Sequence, residues 1–285
     1  LEPEKPCYPD YVLALVALEL ESDCRWVEDV RCCETVGWLY GKRRLQSANA
    51  LPFTQNASVE SFPDGGVTIV RFDEGHGVLA FDHGPLGFGR LAAHGHADAL
   101  SVQLYVDGEP VLIDPGTFIY NGDRRMRDKF RSTCVHNTMC VGGRDQSEAL
   151  GPFLWGRKAN VSGFALEECE GCITMSAEHD GYSPVCTRRT VEVRGANVVI
   201  TDEVDDNRDA MTSWHLPFAG VKAGDGPTDF HLQSGASVHI EASASLKSTS
   251  FDYSPAYGIL DQGTEVRASF KSGLVTTITI LRGVQ

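Results

Sequence analysis

The hydrophobic rhythm of the chain changes near residue 51. Upstream, Pro9-Asp10 precedes Tyr11, Val12, Leu15, Val16, Leu18 and Glu19, an apolar spacing compatible with one helix. Trp26, Val27 and Val30, then Val36, Trp38 and Leu39, continue in helix-like fashion until Lys42-Arg43-Arg44. Two short helices do not make a core, so residues 1–50 read as the tail of a larger helical unit. Downstream the pattern becomes that of strands. Val67 to Phe72, Val78 to Phe81 and Leu100 to Val106 are β-rich runs bounded by Gly, Asp and Pro. Asp107-Gly108 is a hairpin signal, and Val111 to Asp114 follows it. Further runs are Thr138 to Val141, Ile173 to Ala177, Val191 to Val193, Val198 to Val204, Trp214 to Phe218, Val238 to Ala242, Val266 to Phe270 and Val275 to Leu281. Many short strands with frequent turns predict an antiparallel sandwich or barrel over residues 51–285, with no helix-length periodic segment in it.

Composition narrows the partners. Hydrophobic residues make up 42% of 285, enough for a sizeable core. The formal charge of −14 argues against a general nucleic-acid or anionic-membrane binder, since both are polyanions. The longest apolar-rich run, Tyr11 to Leu20, is broken by Glu19 and too short to span a bilayer. It also lacks the basic start and small-residue cleavage site of a signal peptide. A chain opening on Leu1 is expected to be a fragment. The nine cysteines include Cys32-Cys33 and one C-x-x-C, Cys169 to Cys172; a zinc ribbon needs a second such pair, so free thiols are expected.

The densest chemistry lies between Leu91 and Glu148. His94-Gly95-His96 in an extended backbone would turn both imidazoles to one face, with Asp98 on the same parity. If Asp107-Gly108 is a two-residue turn, Asp114 returns near Ser101, at the His96 end of the hairpin. His136 opens a later strand. His, Asp and His from separate segments suit an open nitrogen–oxygen metal site for zinc or manganese. A cupin would need a Glu within Ala97 to Ser101, where there is none. Between Asp114 and His136, Arg124, Arg125, Arg127, Lys129 and Arg131 outnumber Asp123 and Asp128, a local excess of positive charge. Either it is a solvated loop making weak surface pairs, or it is a clamp for substrate carboxylates or sulfates. Its place between two candidate ligands favours the clamp. Asn137 is a further candidate for substrate contact.

The runs Ala93 to Ser101, Leu112 to Thr117, Phe130 to Thr133 with His136-Asn137-Thr138, and Asp145 to Glu148 resemble the heparinase II/III-like polysaccharide lyases. Phe153 to Arg157, Asp180 to Tyr182, and Ser254 with Tyr257-Gly258 extend the match in order across most of residues 62–285. The resemblance implies a mainly β chain, a large antiparallel β-sandwich (a two-sheet supersandwich), preceded by a short helical remnant of an α/α toroid. It implies β-elimination on a uronate-containing polysaccharide such as heparin, heparan sulfate or alginate, and a periplasmic or secreted location. It assigns His96, Asp114 and His136 to a divalent metal, zinc first, with manganese or calcium as alternatives. It places His94 in catalysis and Tyr120 as an aromatic facing the site. The family's catalytic tyrosine, and the group that neutralises the uronate carboxylate, come from the toroid and have no identifiable counterpart here; a homodimer is left open. Cys186-Thr-Arg-Arg189 departs from the expected His before the Arg pair. The rival readings are a non-catalytic carbohydrate-binding or structural β-sandwich module, and a hydrolase using metal-bound water.

Overall fold

Alternation builds this fold. The computed structural model describes residues 58–224 and 228–282. The helices expected over residues 1–50 lie outside them. β1 (Ser58–Phe62), β2 (Val67–Phe72), β3 (Gly77–Asp82), β4 (Val102–Val106) and β5 (Glu109–Leu112) form an antiparallel sheet in sequence order. In β2 every second side chain is buried, so Val70 and Phe72 enter the core while their neighbours stay half-exposed. Asp107-Gly108 joins β4 to β5 as expected, with both residues at positive φ (52° and 78°). A bulge then sets Leu104 opposite Leu112. The register moves by one, away from the alignment of Asp114 with Ser101 that a plain hairpin gives.

A short helix, α1 (Arg124–Phe130), occupies the basic stretch that the sequence pattern left without helix. Asp123 caps it, accepting from the Arg125 and Met126 amides at 2.8 and 3.2 Å. Next come β6 (Met139–Val141), β7 (Ala149–Gly151), β8 (Leu154–Trp155), β9 (Val161–Cys169), β10 (Cys172–Tyr182), β11 (Val185–Arg194), β12 (Asn197–Val204) and β13 (Ala210–Leu216). The chain closes with β14 (Thr228–His231), β15 (Ser237–Ala242), β16 (Leu246–Tyr253), β17 (Asp261–Phe270) and β18 (Gly273–Leu281). One sheet runs β14-β15-β18-β12-β11-β10-β9, another β16-β17-β13-β6, and β7 pairs with β8.

The Ile113 amide donates to the His215 carbonyl at 2.9 Å, stitching the end of β5 to β13. The first sheet and the β13 sheet thus make one layer, which packs on the seven-stranded sheet. Leu79, Phe81, Leu104, Trp214, Val266, Val191, Ile200 and Ile278 from the three sheets share one core. The architecture is the expected mainly β sandwich. No helix among the described residues is long and apolar enough to cross a membrane. Cys169 and Cys172 stand opposite each other across the β9–β10 turn, both as free thiols.

Candidate functional site

The loop between β3 and β4 carries the His94-Gly95-His96 motif. It is irregular rather than extended, and Ala92 and Leu100, which bracket the motif, both sit at positive φ (48° and 61°). Such positions cost roughly 1–3 kcal/mol each and persist only where packing over-determines them. Here the Trp155 indole N–H donates to the Ala92 carbonyl at 3.0 Å. The expectation that both imidazoles address one site is corrected by this geometry. In a loop the parity of a strand is lost, and the two rings face different neighbours.

His94 is exposed. Its ring meets Tyr120 edge-on at 5.0 Å between centroids and Phe153 at 6.0 Å. Tyr120 in turn stacks between Phe153 at 5.9 Å and the exposed Tyr257 at 5.8 Å. The Arg127 guanidinium lies 5.1 Å from the Tyr120 ring centroid. This aromatic face, with an imidazole at its edge, can stack on sugar rings and exchange protons. Gly116, in the Asp-Pro-Gly segment leading to Tyr120, has φ +75°, and a Cβ there would run into the Ser254 carbonyl.

His96 turns inward. Its Nδ1 lies 3.1 Å from His136 Nε2, and His136 Nε2 lies 3.4 Å from Asp114 Oδ2. Ligand atoms of His96, Asp98, Asp114 and His136 all fall within 4.8 Å of one another. His136 donates from Nδ1 to the Ser132 carbonyl at 2.7 Å, which leaves the Nε2 lone pair facing the cluster. Burial pushes His96 down to about 3, with His136 adding to the effect and Asp114 opposing it. Burial lowers His136 too. Both imidazoles are therefore neutral near pH 7, the form that ligates a metal. Burial raises Asp98 well above the usual carboxylate range, and Asp82 and Asp114 raise it further. The donor set of two imidazole nitrogens and carboxylate oxygens fits zinc or manganese.

The basic stretch is placed differently from the expected clamp. Arg127 and Arg131 are fully buried. Arg131 donates to the Gly151 and Pro152 carbonyls and pairs with Asp128 at 2.7 Å, its guanidinium lying 4.6 Å from the Trp155 ring centroid. Arg127 donates to the Pro152 and Ala93 carbonyls. Both therefore hold the β7–β8 hairpin and the His94 loop together and do not face solvent. Arg124 is exposed and pairs with Asp128, and Lys129 pairs with Asp252. Among the described residues no ion pair or side-chain hydrogen bond engages the exposed Arg125. Asn137 is corrected as well. It is fully buried, donates to the Val102 and Ile113 carbonyls, and accepts from the His215 amide and ring. Every hydrogen-bonding position it has toward a substrate is already used.

Behind the cluster, Arg189 and Asp202 form a fully buried bidentate pair at 2.7 and 2.9 Å. Arg189 also donates to the Leu100 and Asn137 carbonyls, so it fixes the segments that carry the His96 loop and His136. The Arg pair was visible in the sequence, but nothing there linked it to Asp202.

The Heparinase II/III-like, C-terminal family model matches residues 54–278. The chain belongs to the heparinase II/III-like family. Among solved structures it is similar to a heparinase III gene product, with TM-score 0.70 and 18% identity over 95% of this chain and 41% of that one. It is similar to a mutant of the heparan sulfate lyase HepC from Pedobacter heparinus, with TM-score 0.70 and 14% identity over 96% of this chain and 42% of that one. It also resembles a chondroitin AC lyase mutant from Streptomyces coelicolor A3, with TM-score 0.54 and 13% identity over 95% of this chain and 39% of that one. The chain thus spans about two fifths of these structures, and at such identities the likeness is one of fold. No protein of curated function matches by sequence. In this heparinase II/III-like domain, the expected residues form two groups back to back: His94 with Tyr120 on the surface, and His96, Asp114 and His136 beneath.

Proposed function

We propose that this chain is the β-sandwich part of a polysaccharide lyase that cleaves an acidic, uronate-containing polysaccharide by β-elimination. The observation that supports this reading best is the exposed His94, set on an aromatic face in a domain of the heparinase II/III-like family. Elimination removes the weakly acidic proton at C5 of the uronide and expels the oxygen at C4. Negative charge grows on the neighbouring carboxylate, so the site needs a base and groups that meet that charge. His94 is the most exposed imidazole of the two groups, and it takes the C5 proton or contacts the carboxylate. Tyr120, Phe153 and Tyr257 hold the sugar ring. A helical unit supplies the remaining catalytic groups.

His96, Asp114 and His136, with Asp98 beside them, would hold a divalent metal, zinc first. Imidazole nitrogens of His96 and His136 and a carboxylate oxygen of Asp114 converge there, a donor set that suits a cation. When bound, the metal supplies fixed positive charge that ties the β3–β4 loop, the end of β5 and the segment before β6 together. His94 is then presented from a rigid base.

The test incubates the full gene product with heparin, heparan sulfate and alginate and follows the ultraviolet absorbance of an unsaturated uronate. Absorbance should rise with one of them and be lost in His94→Ala. Saturable binding with no absorbance change would instead make the chain a carbohydrate-binding module. Saccharide products lacking the chromophore would make it a hydrolase.

A further inference from the structure

A second group of oxygen atoms lies behind the His96 cluster. A narrow cavity of about 10 Å³, room for one water-sized occupant, is lined by Asp82, Asp98 and Gln146 together with Gly84, His96 and Ser147. The orientation of Gln146 is fixed by its partners. The side chain is fully buried, and its Nε2 donates to the Ala99 carbonyl at 3.1 Å and to Thr138 Oγ1 at 3.3 Å. Thr138 Oγ1 has already donated its own proton to Ala99, at 2.7 Å. An inverted amide would turn an oxygen toward that carbonyl, so Oε1 must point away from it. Gln146 Oε1 is buried with no hydrogen-bond partner, in a residue that lines this cavity.

The walls supply almost nothing to satisfy it. Asp82 Oδ1 accepts from the Gly84 amide, which leaves its other oxygen unspent. Asp98 borders both this cavity and the His96 cluster. His96 has its nitrogens toward His136 and Thr117. Ser147 adds a hydroxyl proton to the wall, its oxygen accepting from the Ala159 amide at 2.9 Å. A cation would take the place of the proton that Asp98 otherwise keeps, and would meet these oxygen acceptors together. A buried acceptor without a partner, as Gln146 Oε1 is, is costly.

We propose that Asp82, Asp98 and the Gln146 side-chain oxygen form a second cation site, for a hard, oxygen-seeking divalent ion, which shares Asp98 with the nitrogen-containing cluster in front of it. The chemistry separates the two. A site with only oxygen donors selects calcium, magnesium or manganese, whereas one with two imidazoles selects zinc. The second ion would neutralise the acidic side chains that line the cavity and hold Asp98 in place. This inference does not require the lyase reading or an occupied zinc site.

The experiment takes the full chain saturated with zinc and titrates it with calcium by equilibrium dialysis and calorimetry, with magnesium and manganese in parallel. One saturable equivalent of a hard cation is expected beyond zinc, with an upward shift in Tm that a calcium chelator reverses. Asp82→Asn, which keeps an acceptor for the Gly84 amide, should lose that equivalent and keep zinc. Gln146→Leu is a second variant at the opposite wall and should weaken the same binding at least tenfold. His96→Ala should lose zinc and keep the hard cation. The proposal is overturned if the wild-type chain takes up no second equivalent, because the cavity then holds only water. It is equally overturned if the second equivalent survives Asp82→Asn or vanishes with His96→Ala alone.

Discussion

His94 and His96 are two residues apart, yet they belong to different environments. His94 lies on an exposed aromatic face with Tyr120, Phe153 and Tyr257. His96 lies in a half-buried cluster with the buried His136 and with Asp114 and Asp98. The turn at Gly95 separates them, its amide donating to the Ala92 carbonyl at 2.9 Å. A short loop therefore turns one imidazole to solvent and the next toward the carboxylates. Substitutions on the inner side should cost stability first, and those on the outer side should cost turnover first. The contrast can be broken experimentally at several depths.

The largest effect is expected at the deepest point. Arg189→Met leaves Asp202 buried and unpaired and frees the Leu100 and Asn137 carbonyls. Breaking such a pair from one side costs about 3–5 kcal/mol. Urea denaturation should show this as a fall in midpoint with an unchanged slope. A loss below about 1 kcal/mol would mean that the frame behind the loop does not depend on this pair.

On the outer side, His94→Ala should lower turnover by about 10²–10⁴-fold, the usual contribution of a positioned acid or base. Its stability should stay within about 0.5 kcal/mol of wild type, because the ring is exposed. A large drop in Tm with turnover preserved would reverse the roles given to the two histidines.

Metal removal probes the inner side more gently. At a thousandfold excess over its dissociation constant a ligand stabilises by about 4 kcal/mol. A zinc-selective chelator should therefore lower the Tm of the wild-type chain by several degrees. It should leave the Tm of His96→Ala and His136→Ala unmoved. Equal chelator sensitivity in all three proteins would remove the metal from this cluster.

The outline of this contrast was legible in the sequence, and its limits are physical. The central strands were readable because burial on one face imposes alternation, as in β2 and β3. β1, β9, β14 and β16 were not singled out, and each lies at an edge of its sheet. An edge strand has one neighbour and tolerates polar residues, as Val161–Cys169 shows with its glutamates and Gly163. α1 escaped notice because seven residues hold too few apolar positions to show a period. That His96, Asp114 and His136 come together was readable from spacing and resemblance. The roles of Arg127, Arg131 and Asn137 were not, since an Arg in a basic run looks the same whether it meets solvent or a carbonyl. Asp98 was noted only for sharing the parity of the motif, and that parity does not hold in the irregular loop.

Buried histidines outside the cluster give a pH test of the interior. Burial pushes His215 down to about 3, with His136 adding to it, and His179 down to about 4. The unfolded chain binds protons at these positions as pH falls through about 6.5, whereas the folded chain resists until its own lower values. Unfolding therefore takes up protons in that window, and stability should fall steadily from about pH 6.5 toward 4. His215→Asn and His179→Gln should each flatten that slope, read from denaturation midpoints across the window. A slope unchanged in both would assign the acid sensitivity to other groups.

The smallest effect is expected at the rim, and it separates the two environments within a single basic segment. Arg125 is exposed and free of ion pairs among the described residues, whereas Arg131 on the same segment is fully buried and spent on Asp128 and two carbonyls. An exposed charge contributes about 0.2–1 kcal/mol to an ionic contact, so Arg125→Ala should raise KM for an acidic polymer by roughly 1.5–5-fold at low salt. The difference should fade as added salt shortens the screening length. Arg131→Ala should instead lower Tm, because it leaves carbonyls of the β7–β8 hairpin without their donor, and that loss should be indifferent to salt. If Arg131→Ala weakens polymer binding in a salt-dependent way while its Tm holds, the buried side chain reaches the substrate. The boundary between the two environments would then lie deeper than His94.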